Sequence, residues 1–491
     1  MSTATVVTRF APSPTGELHL GNARTALFNH LLARRHGGRF VLRVEDTDAA
    51  RSSEAHVSAL RRDLEWLGLH WELGPGTAAP ASEWQQSQRG AVYDSYYQRL
   101  VATGAAYPCY CTTLELDLSR RAQLAAGRPP RYAGTCRALS AGERAEREAR
   151  GLSGALRFAV VPGTVIEFND MVHGAQAIKS DDIGDFIIRR QDGTAAFFFC
   201  NAIDDAMMMV SHVLRGEDHL SNTPRQLLLL KVLQLRTPQY GHVSLLTGAD
   251  GAPLSKRHGA TTVREYRELG YAPEAINNLL FRLGHSTANN ALLAPDAMSA
   301  AFDTTHLQKS SAHFDPAQLR HWQGEWVRSL PLAKAAEWLR PWISGTAAAT
   351  LGAVPFEALV RAVQPNITVA ADVLPWVVMI MGGEVALEPD ARAAVTAAGA
   401  EFFAAAAKAA AQFVDGAKPA DGTQPSDSAQ PADGAARLAA LRAATGKGGA
   451  VFFKPLRAAL TGLLHGPELV PLLSVMPAAL IHARLKAHSG L

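Results

Sequence analysis

The chain has 491 residues, 47% apolar and 19% charged, with a net charge of +3. This is a globular protein of several domains and not a polycation, so any contact with nucleic acid must come from local basic patches. Four cysteines in so long a chain do not make a disulfide framework, the N-terminus carries no secretory pattern, and the apolar stretch 227–235 is broken by Lys231 well short of the roughly 18–20 residues of a membrane span, which makes the cytoplasm the expected location.

Residues 6–10 read as a short buried strand, β-branched and aromatic. Pro12, Pro14 and Gly16 then exclude both strand and helix. After Gly21 the apolar spacing turns helical, with Ala23, Ala26, Leu27 and Leu31 on one side and Gly37-Gly38 as the stop. A strand, a rigid turn and a helix N-terminus in that order turn backbone N–H groups toward an anion, with His19 and Gly21 at the mouth. Glycine admits a nucleotide close to the backbone, and imidazole donates to a phosphate oxygen. The competing reading is a tight turn whose histidine caps the helix. A second strand, 40–44, ends in Glu45-Asp46-Thr47-Asp48, and carboxylates at the C-terminal end of a strand in an open α/β sheet lie at the ligand crevice. Ser52 or Ser53 caps the following helix, which sets Val57, Leu60, Leu64 and Leu67 on one face.

From Tyr107 the texture changes. Cys109, Cys111 and Cys136 suggest a metal clip, because thiolates and a fourth ligand satisfy tetrahedral zinc; buried free thiols are the alternative. Residues 155–200 alternate in strand fashion, through 156–161, 165–168, 185–190 and then Phe197-Phe198-Phe199, as in an α+β insertion. A helical segment with Asp204-Asp205 follows, then a strand at 211–215 ending in Gly216-Glu217-Asp218-His219. Thr223 is placed to cap a helix with Pro224 at its first position, and 241–246 is a further strand, so the parallel sheet begun at residue 6 resumes after the insertion. Pro253-Leu254-Ser255-Lys256-Arg257-His258-Gly259 is a polar, basic loop. Beside a phosphate site such a loop can follow negative charge into a transition state; otherwise it is a solvated surface loop. Beyond about 325 the pattern is alanine-rich and helical, with candidate helices at 330–339, 356–363, 390–413, 435–443 and 456–464 and a linker at 414–433. That half carries no cluster of acids, histidines or cysteines, which assigns it binding rather than chemistry.

Three separated signals agree in order and spacing. They are Arg9 to Asn22 with His19-Leu20-Gly21-Asn22 in the HIGH position, Val41 to Asp48, and the pair Leu214 to Gln226 with Leu254-Ser255-Lys256-Arg257-His258-Gly259. Together they resemble the bacterial glutamyl-tRNA synthetases, a class I family, and the likeness extends to Phe452-Phe453-Lys454-Pro455-Leu456-Arg457 and Gly466-Pro467-Glu468-Leu469. The resemblance implies an α/β fold: a Rossmann-like parallel-sheet catalytic domain with an α+β insertion, followed by an all-α C-terminal domain. It implies catalytic halves at 1–105 and 196–250, a connective, acceptor-binding insertion with a candidate zinc clip at 106–195, a KMSKS-type loop and stem-contact helices at 251–325, and an anticodon-binding domain at 326–491 with a flexible 414–433 segment.

The implied reaction is ATP-dependent ligation of L-glutamate to tRNA(Glu) through a glutamyl-adenylate, with Mg²⁺ accompanying ATP. By the same resemblance His19 and Lys256 are catalytic, and ATP binds on His19, Gly21, Asn22, Ser255, Lys256 and Arg257. Glutamate binds on Arg9, Ala11, Ser13, Glu45, Phe197, Asn201 and Arg215, with Glu45 taking the ammonium and the arginines taking carboxylate. The competing reading pairs Arg9 and Arg215 structurally with Glu45 or Asp46. Pro253 stands where many members carry a lysine, and Phe197 replaces a tyrosine and so removes a hydroxyl donor. Ala138 stands where histidine is often the fourth zinc ligand, whereas Tyr132 lies four residues before Cys136 as in a shorter relative, so a structural Zn²⁺ is expected on Cys109, Cys111, Tyr132 and Cys136. Rival readings are a glutamyl-queuosine tRNA(Asp) synthetase, which lacks the tRNA-reading tail; a glutaminyl enzyme, which usually ends in β-barrels; and a non-catalytic tRNA-binding paralogue, which has no use for a phosphate site and a mobile lysine. The expected partners are tRNA(Glu), L-glutamate and ATP, with no membrane or DNA, acting on a monomer.

Overall fold

The computed structural model describes residues 5–48, 51–254, 259, 261–343, 355–382, 385–416 and 431–490. Ser255, Lys256 and Arg257, and residues 417–430 of the expected linker, lie outside the described residues. The chain parts into two compact units, Met1–Tyr266 with Ile276–Pro316, and Arg267–Ala275 with Ala317–Leu491.

In the first unit β1 (Val7–Phe10), buried along its whole length, runs parallel to β2 (Arg39–Leu42), with α1 (Leu20–Arg35) as the crossover. Gly37 ends that crossover at φ +57°, a conformation that costs glycine nothing. The next helix, α2 (Glu54–Trp66), is capped by Ser53, whose Oγ accepts from His56 N, and it buries Val57, Leu60 and Leu64. Then comes α3 (Gly90–Ala102).

The insertion comprises β3 (Ala106–Cys109), α4 (Thr113–Ala125), α5 (Ala141–Ala149), β4 (Ala155–Phe158), β5 (Val165–Asp170), β6 (Gly174–Lys179), α6 (Ser180–Ile183) and β7 (Phe186–Arg189). Strands β3, β4 and β7 form an antiparallel sheet, and β5 and β6 a hairpin.

The aromatic run at 197–199 opens α7 (Phe197–Met207) rather than a strand. Phe199, Ala202, Ile203 and Ala206 recur at helical spacing and are all buried, and Phe199 stacks on Tyr97 at 4.2 Å, so the burial pattern overrides aromatic β-propensity. Then β8 (His212–Gly216), α8 (Thr223–Leu233) and β9 (Gln239–Val243) complete a second parallel pair. Thr223 caps nothing: the N-cap is Asn222, and the Thr223 hydroxyl turns inward instead.

The two parallel pairs meet where Ser211 N donates to Val7 O (2.8 Å) and Val7 N donates to Ser211 Oγ (2.7 Å). Further along they splay. Leu214 O accepts from Asn29 Nδ2 (2.9 Å) of α1 and from Arg9 Nη1 (3.4 Å) in place of a strand partner. A parallel sheet opening between neighbouring strands is where α/β folds hold ligands.

In the second unit every described element is helical from Ala317 onward, around a core that includes Phe403, Phe452, Leu456, Leu472 and Ile481. Phe356–Val363 is a helix over the expected span. The expected helix 456–464 instead covers Ala450–Thr461 with Pro455 inside it; the buried set Phe452, Pro455, Leu456 and Ala459 carries the helix through. The expected 390–413 is Pro389–Ala410, broken at Gly399, whose φ is +78°. Helices Val373–Met381, Leu469–Val475 and Ala478–Lys486 have no counterpart in the sequence reading. Pro375, Pro471 and Pro477 fall in a first turn or at a cap, where the missing N–H has no partner to lose. Among the described residues no single helix is long and apolar enough to cross a membrane.

Candidate active site

A cleft of about 450 Å³ opens at the splayed end of the sheet. Arg9, Ala11, Ser13, His19, Gly21, Asn22, Glu45, Phe197, Asn201 and Arg215 all line it, although they come from β1, the turn after it, α1, the end of β2, α7 and β8.

Its floor is a closed set of buried charges. Arg43, wholly buried, donates to Asp205 Oδ1 (2.6 Å), Glu45 Oε1 (3.0 Å) and Asn201 Oδ1 (2.9 Å). Arg9 Nε donates to the same Asp205 oxygen (3.1 Å), and Asn201 Nδ2 donates to Glu45 Oε1 (2.5 Å). Two guanidinium groups therefore face two carboxylates. Burial works against charge on Asp205, but Arg43 and Arg9 outweigh it and hold its carboxyl below the usual aspartate value of 3.8. For Glu45 burial wins and the carboxyl is raised despite Arg43, so a further cation in the cleft would favour its charged form. Neither pairing of the competing sequence reading occurs. Arg9 sits on Asp205, and Asp46 is spent on Gln85 Nε2 (2.7 Å), Ser87 N (2.8 Å) and Ser87 Oγ (2.7 Å).

The opposite wall is different in kind. Arg215 donates from Nε to His242 Nε2 (3.1 Å) and from Nη2 to Thr223 Oγ1 (2.7 Å) and Gln226 Oε1 (2.8 Å). All three acceptors are uncharged when His242 is neutral, and Arg215 Nη1 has no hydrogen-bond partner. Burial pushes the guanidinium down to about 10, outweighing the pull of Tyr240, Asp205 and Glu45, none of which is hydrogen-bonded to it. A buried cation without an acid beside it is a receptor for an anion.

At the mouth, His19 occupies the N-cap position of α1 at extended φ and ψ, but its side chain makes no capping bond and is exposed. The capping reading of this histidine is thus replaced by an imidazole facing the cleft. Helix geometry leaves the N–H groups of Gly21 and Asn22 without a carbonyl one turn back. A Cβ built on Gly21 meets nothing within 4 Å, so nothing in the described fold demands glycine there, and the open space is the cleft. The turn before α1 is fixed from across the unit: Leu20 N donates to Thr261 O (3.0 Å) and Val263 N to Leu18 O (2.9 Å). Pro253, Leu254 and Thr261, which flank the 255–258 segment, line the same cleft. Phe197 is half-buried and stacks on His219 at 5.2 Å. His219 is itself pushed down to about 4 by burial.

This arrangement can seat an amino acid between Glu45 and Arg215 with phosphates at the start of α1. Residues 5–321 match the family of class I tRNA synthetases (E and Q), catalytic domain. The chain belongs to that family. Over almost its whole length this synthetase is 50% identical to glutamate–tRNA ligase 2 of Alkalilimnicola ehrlichii, with 99% of this chain and 98% of the relative covered. It is 48% identical to glutamate–tRNA ligase 1 of Halorhodospira halophila, with 99% and 97% covered. It also superposes on the crystal structure of a glutamate tRNA ligase from Elizabethkingia meningosepticum in complex with its amino acid, at a TM-score of 0.83 and 25% identity over 99% of each chain. The parallel-sheet catalytic fold and the helical C-terminal region are those of this family.

The insertion of the synthetase holds a second cluster. Ligand atoms of Cys109, Cys111 and Cys136 lie within 4.8 Å of one another. Tyr132 Oη is 3.4 Å from Cys109 Sγ and 3.5 Å from Cys111 Sγ, and it accepts from Cys136 N (2.8 Å). All three thiols are free, with 3.6 Å between the sulfurs of Cys111 and Cys136. Cys109 is lowered: burial opposes this, but the Tyr132 phenol and the Arg157 guanidinium outweigh it. Burial pushes Cys111 up to about 11. Three sulfurs and a phenol oxygen around one point form a donor set that fits a tetrahedral cation.

The sequence reading does not single out Arg43, Asp170, Thr223, Gln226 or His242 as site residues, and it notes Asp205 only as part of an acidic pair. A signal was present in the phase of the strands. Arg43 stands two residues before Glu45, and Arg215 and His242 occupy the same position on two consecutive parallel strands.

Proposed function

We propose that this synthetase ligates L-glutamate to tRNA(Glu) through a glutamyl-adenylate formed from MgATP. The observation that carries the reading is Arg215, a buried cation on the cleft wall whose hydrogen-bonded partners are all neutral. The side-chain carboxylate of glutamate supplies the missing negative charge, and the amide of glutamine does not. Glu45, raised by burial, takes the substrate ammonium, and Ser13 and Ala11 border the same seat.

The chemistry needs no protein nucleophile. The α-carboxylate attacks the α-phosphorus, pyrophosphate leaves, and the glutamyl group then passes to the terminal ribose. What the protein supplies is alignment and stabilisation of charge on the phosphates. His19 and the unpaired N–H groups of Gly21 and Asn22 hold phosphate oxygens, and the bare face of Gly21 lets the nucleotide approach. Lys256, with Ser255 and Arg257, follows the departing pyrophosphate; the position of its neighbours Leu254 and Thr261 on the cleft supports this role. Cys109, Cys111, Tyr132 and Cys136 hold a structural zinc ion in the acceptor-binding insertion. The helical unit reads the anticodon, and the enzyme acts as a cytoplasmic monomer without DNA or membrane partners. Aminoacylation of purified tRNA(Glu), tRNA(Gln) and tRNA(Asp), with glutamate-dependent ATP–pyrophosphate exchange in the presence of tRNA, tests the reading. Charging of tRNA(Glu) with glutamate is expected. Charging of tRNA(Asp) alone, or no exchange with any tRNA present, overturns it.

A further inference from the structure

The proposal concerns what makes Arg215 uncompensated, and it rests on the glutamate reading above. Arg215 on β8 stands directly opposite His242 on β9, so both side chains leave the sheet on the same face. Behind His242 lies Asp170, the last residue of β5 in the insertion. It is 1% exposed, and His242 is fully buried. Met171 N donates to Tyr240 O (2.8 Å), which docks the hairpin on β9, and Gly241 leaves room for it: a Cβ there would come within 2.9 Å of Met171 Cε.

Counting donors and acceptors fixes the protons. Asp170 Oδ2 is 2.5 Å from His242 Nδ1, while its Oδ1 accepts from Val172 N (2.9 Å), His173 N (2.9 Å) and His242 N (3.3 Å). Burial opposes a charged Asp170, but these bonds outweigh it and hold the carboxyl low. An ionised carboxylate accepts only, so His242 Nδ1 carries the proton. At the other ring nitrogen, Nε2 receives Arg215 Nε–H (3.1 Å) and sits 3.0 Å from Thr223 Oγ1. Thr223 Oγ1 accepts from Arg215 Nη2, and its own hydrogen is free to turn toward Nε2. Nε2 must therefore be bare, and a protonated His242 would set N–H against N–H. Burial, with Arg215 nearby, likewise holds His242 below its ordinary value despite Asp170. Of the five guanidinium hydrogens of Arg215, Nε and Nη2 spend three on His242, Thr223 and Gln226, and the two on Nη1 remain.

The geometry points to Asp170 and His242 as positioning residues for glutamate recognition: Asp170 locks the Nδ1–H tautomer of His242, whose bare Nε2 orients Arg215 so that both Nη1 hydrogens are left for the substrate carboxylate. Neither residue touches the substrate. An element of the insertion thereby sets the specificity of a pocket built on the sheet.

Asp170→Asn tests this with little change of shape. The asparagine oxygen keeps the backbone bonds, but its Nδ2–H₂ faces His242 Nδ1, which drives the ring proton to Nε2 and against Arg215. The expected result is a KM for glutamate raised about tenfold or more, with kcat and the KM for ATP within about threefold, and ring-nitrogen NMR of histidine-labelled enzyme showing the tautomer exchanged. His242→Gln, which keeps an acceptor for Arg215 and needs no acid behind it, should make a second change at Asp170 nearly silent. An unchanged glutamate KM with an exchanged tautomer overturns the proposal. So do additive effects in the Asp170→Asn/His242→Gln double variant, or parallel increases in both KM values with loss of thermal stability. Wild-type enzyme inactive with glutamate would instead remove the reading of the substrate, while the tautomer spectrum would still report on Asp170.

Discussion

The floor and the wall of one cleft solve the burial of arginine in opposite ways. Beneath the substrate site, Arg9 and Arg43 are matched by Asp205 and Glu45. Across from them, Arg215 is equally buried, yet its three partners are a neutral imidazole, a hydroxyl and an amide. A matched set is largely scaffolding: Arg9, Arg43 and Asp205 are satisfied before any ligand arrives, only Glu45 is left to gain from a cation, and removing one member strands the others. An unmatched cation is poised for a ligand, because the protein leaves its charge for something else to complete.

The largest effect should come from breaking the matched side. Asp205→Asn leaves Arg9 and Arg43 facing Glu45 alone and is expected to destabilise the catalytic unit by about 3–5 kcal/mol, read by denaturant unfolding. The pH dependence has a definite sign. Asp205 is held below 3.8 when folded, so its contribution is complete above pH 4 or so and is lost as pH falls through its folded value. The variant should therefore lose less stability than the wild type over that acid limb, and identical limbs would contradict the matched floor.

On the unmatched side, Arg215→Lys keeps the charge but not the planar set of donors. The KM for glutamate should rise roughly 10- to 100-fold, the worth of one charged hydrogen bond at about 1.5–3 kcal/mol, with little change in kcat. An unchanged KM removes Arg215 from the pocket. Gln226→Glu makes the sharper comparison, since it converts the wall into a second matched set without altering its outline. The orphan Gln226 Nε2, buried without a partner, becomes an oxygen, and Arg215 gains an acid. The KM for glutamate should rise about tenfold while the enzyme stays at least as stable, because a charge now competes with the substrate. A KM that does not move would mean the cation was never awaiting an anion. The smallest effect is expected of Phe197→Tyr, which adds one hydroxyl at the rim. A fall in glutamate KM of about threefold fits one neutral hydrogen bond near 0.5–1 kcal/mol, and no change would place the ring clear of the substrate.

Much of this site is legible in the sequence because the α/β fold gathers residues that local pattern marks out. Glu45 follows a strand, and the carboxyl ends of parallel strands converge; Arg9 and Arg215 enter only through the family resemblance. His19 and Gly21 are legible because a proline-rich turn leading into a helix N-terminus turns backbone N–H groups toward an anion. What local pattern does not show is partnership. Asp204-Asp205 reads as an acidic pair within a helical segment, yet Asp205 binds Arg9 and Arg43 of the first strands, while Asp204 takes Arg89 and Tyr93 of α3 and the turn before it. Asp170 ends a strand of the insertion, and only the docking of that hairpin on β9 gives it His242. Thr223 shows the opposite failure: its residue type suits a cap, but its hydroxyl is worth more inside, where Arg215 and His242 both use it. In the helical unit, three helices that carry a proline at the cap or in the first turn have no counterpart in the sequence pattern, and their buried faces are evident once packed.

The pairing of the turn before α1 with the segment at Thr261 bears on the role proposed for Lys256. Leu254 N is fastened to Leu246 O (3.0 Å), and Thr261 O to Leu20 N (3.0 Å). Both flanks of the 255–258 segment are therefore moored, one of them to the turn that presents His19. On the role proposed for Lys256, lengthening the segment between these two anchors by a few residues should slacken the grip on departing pyrophosphate before it disturbs anything else.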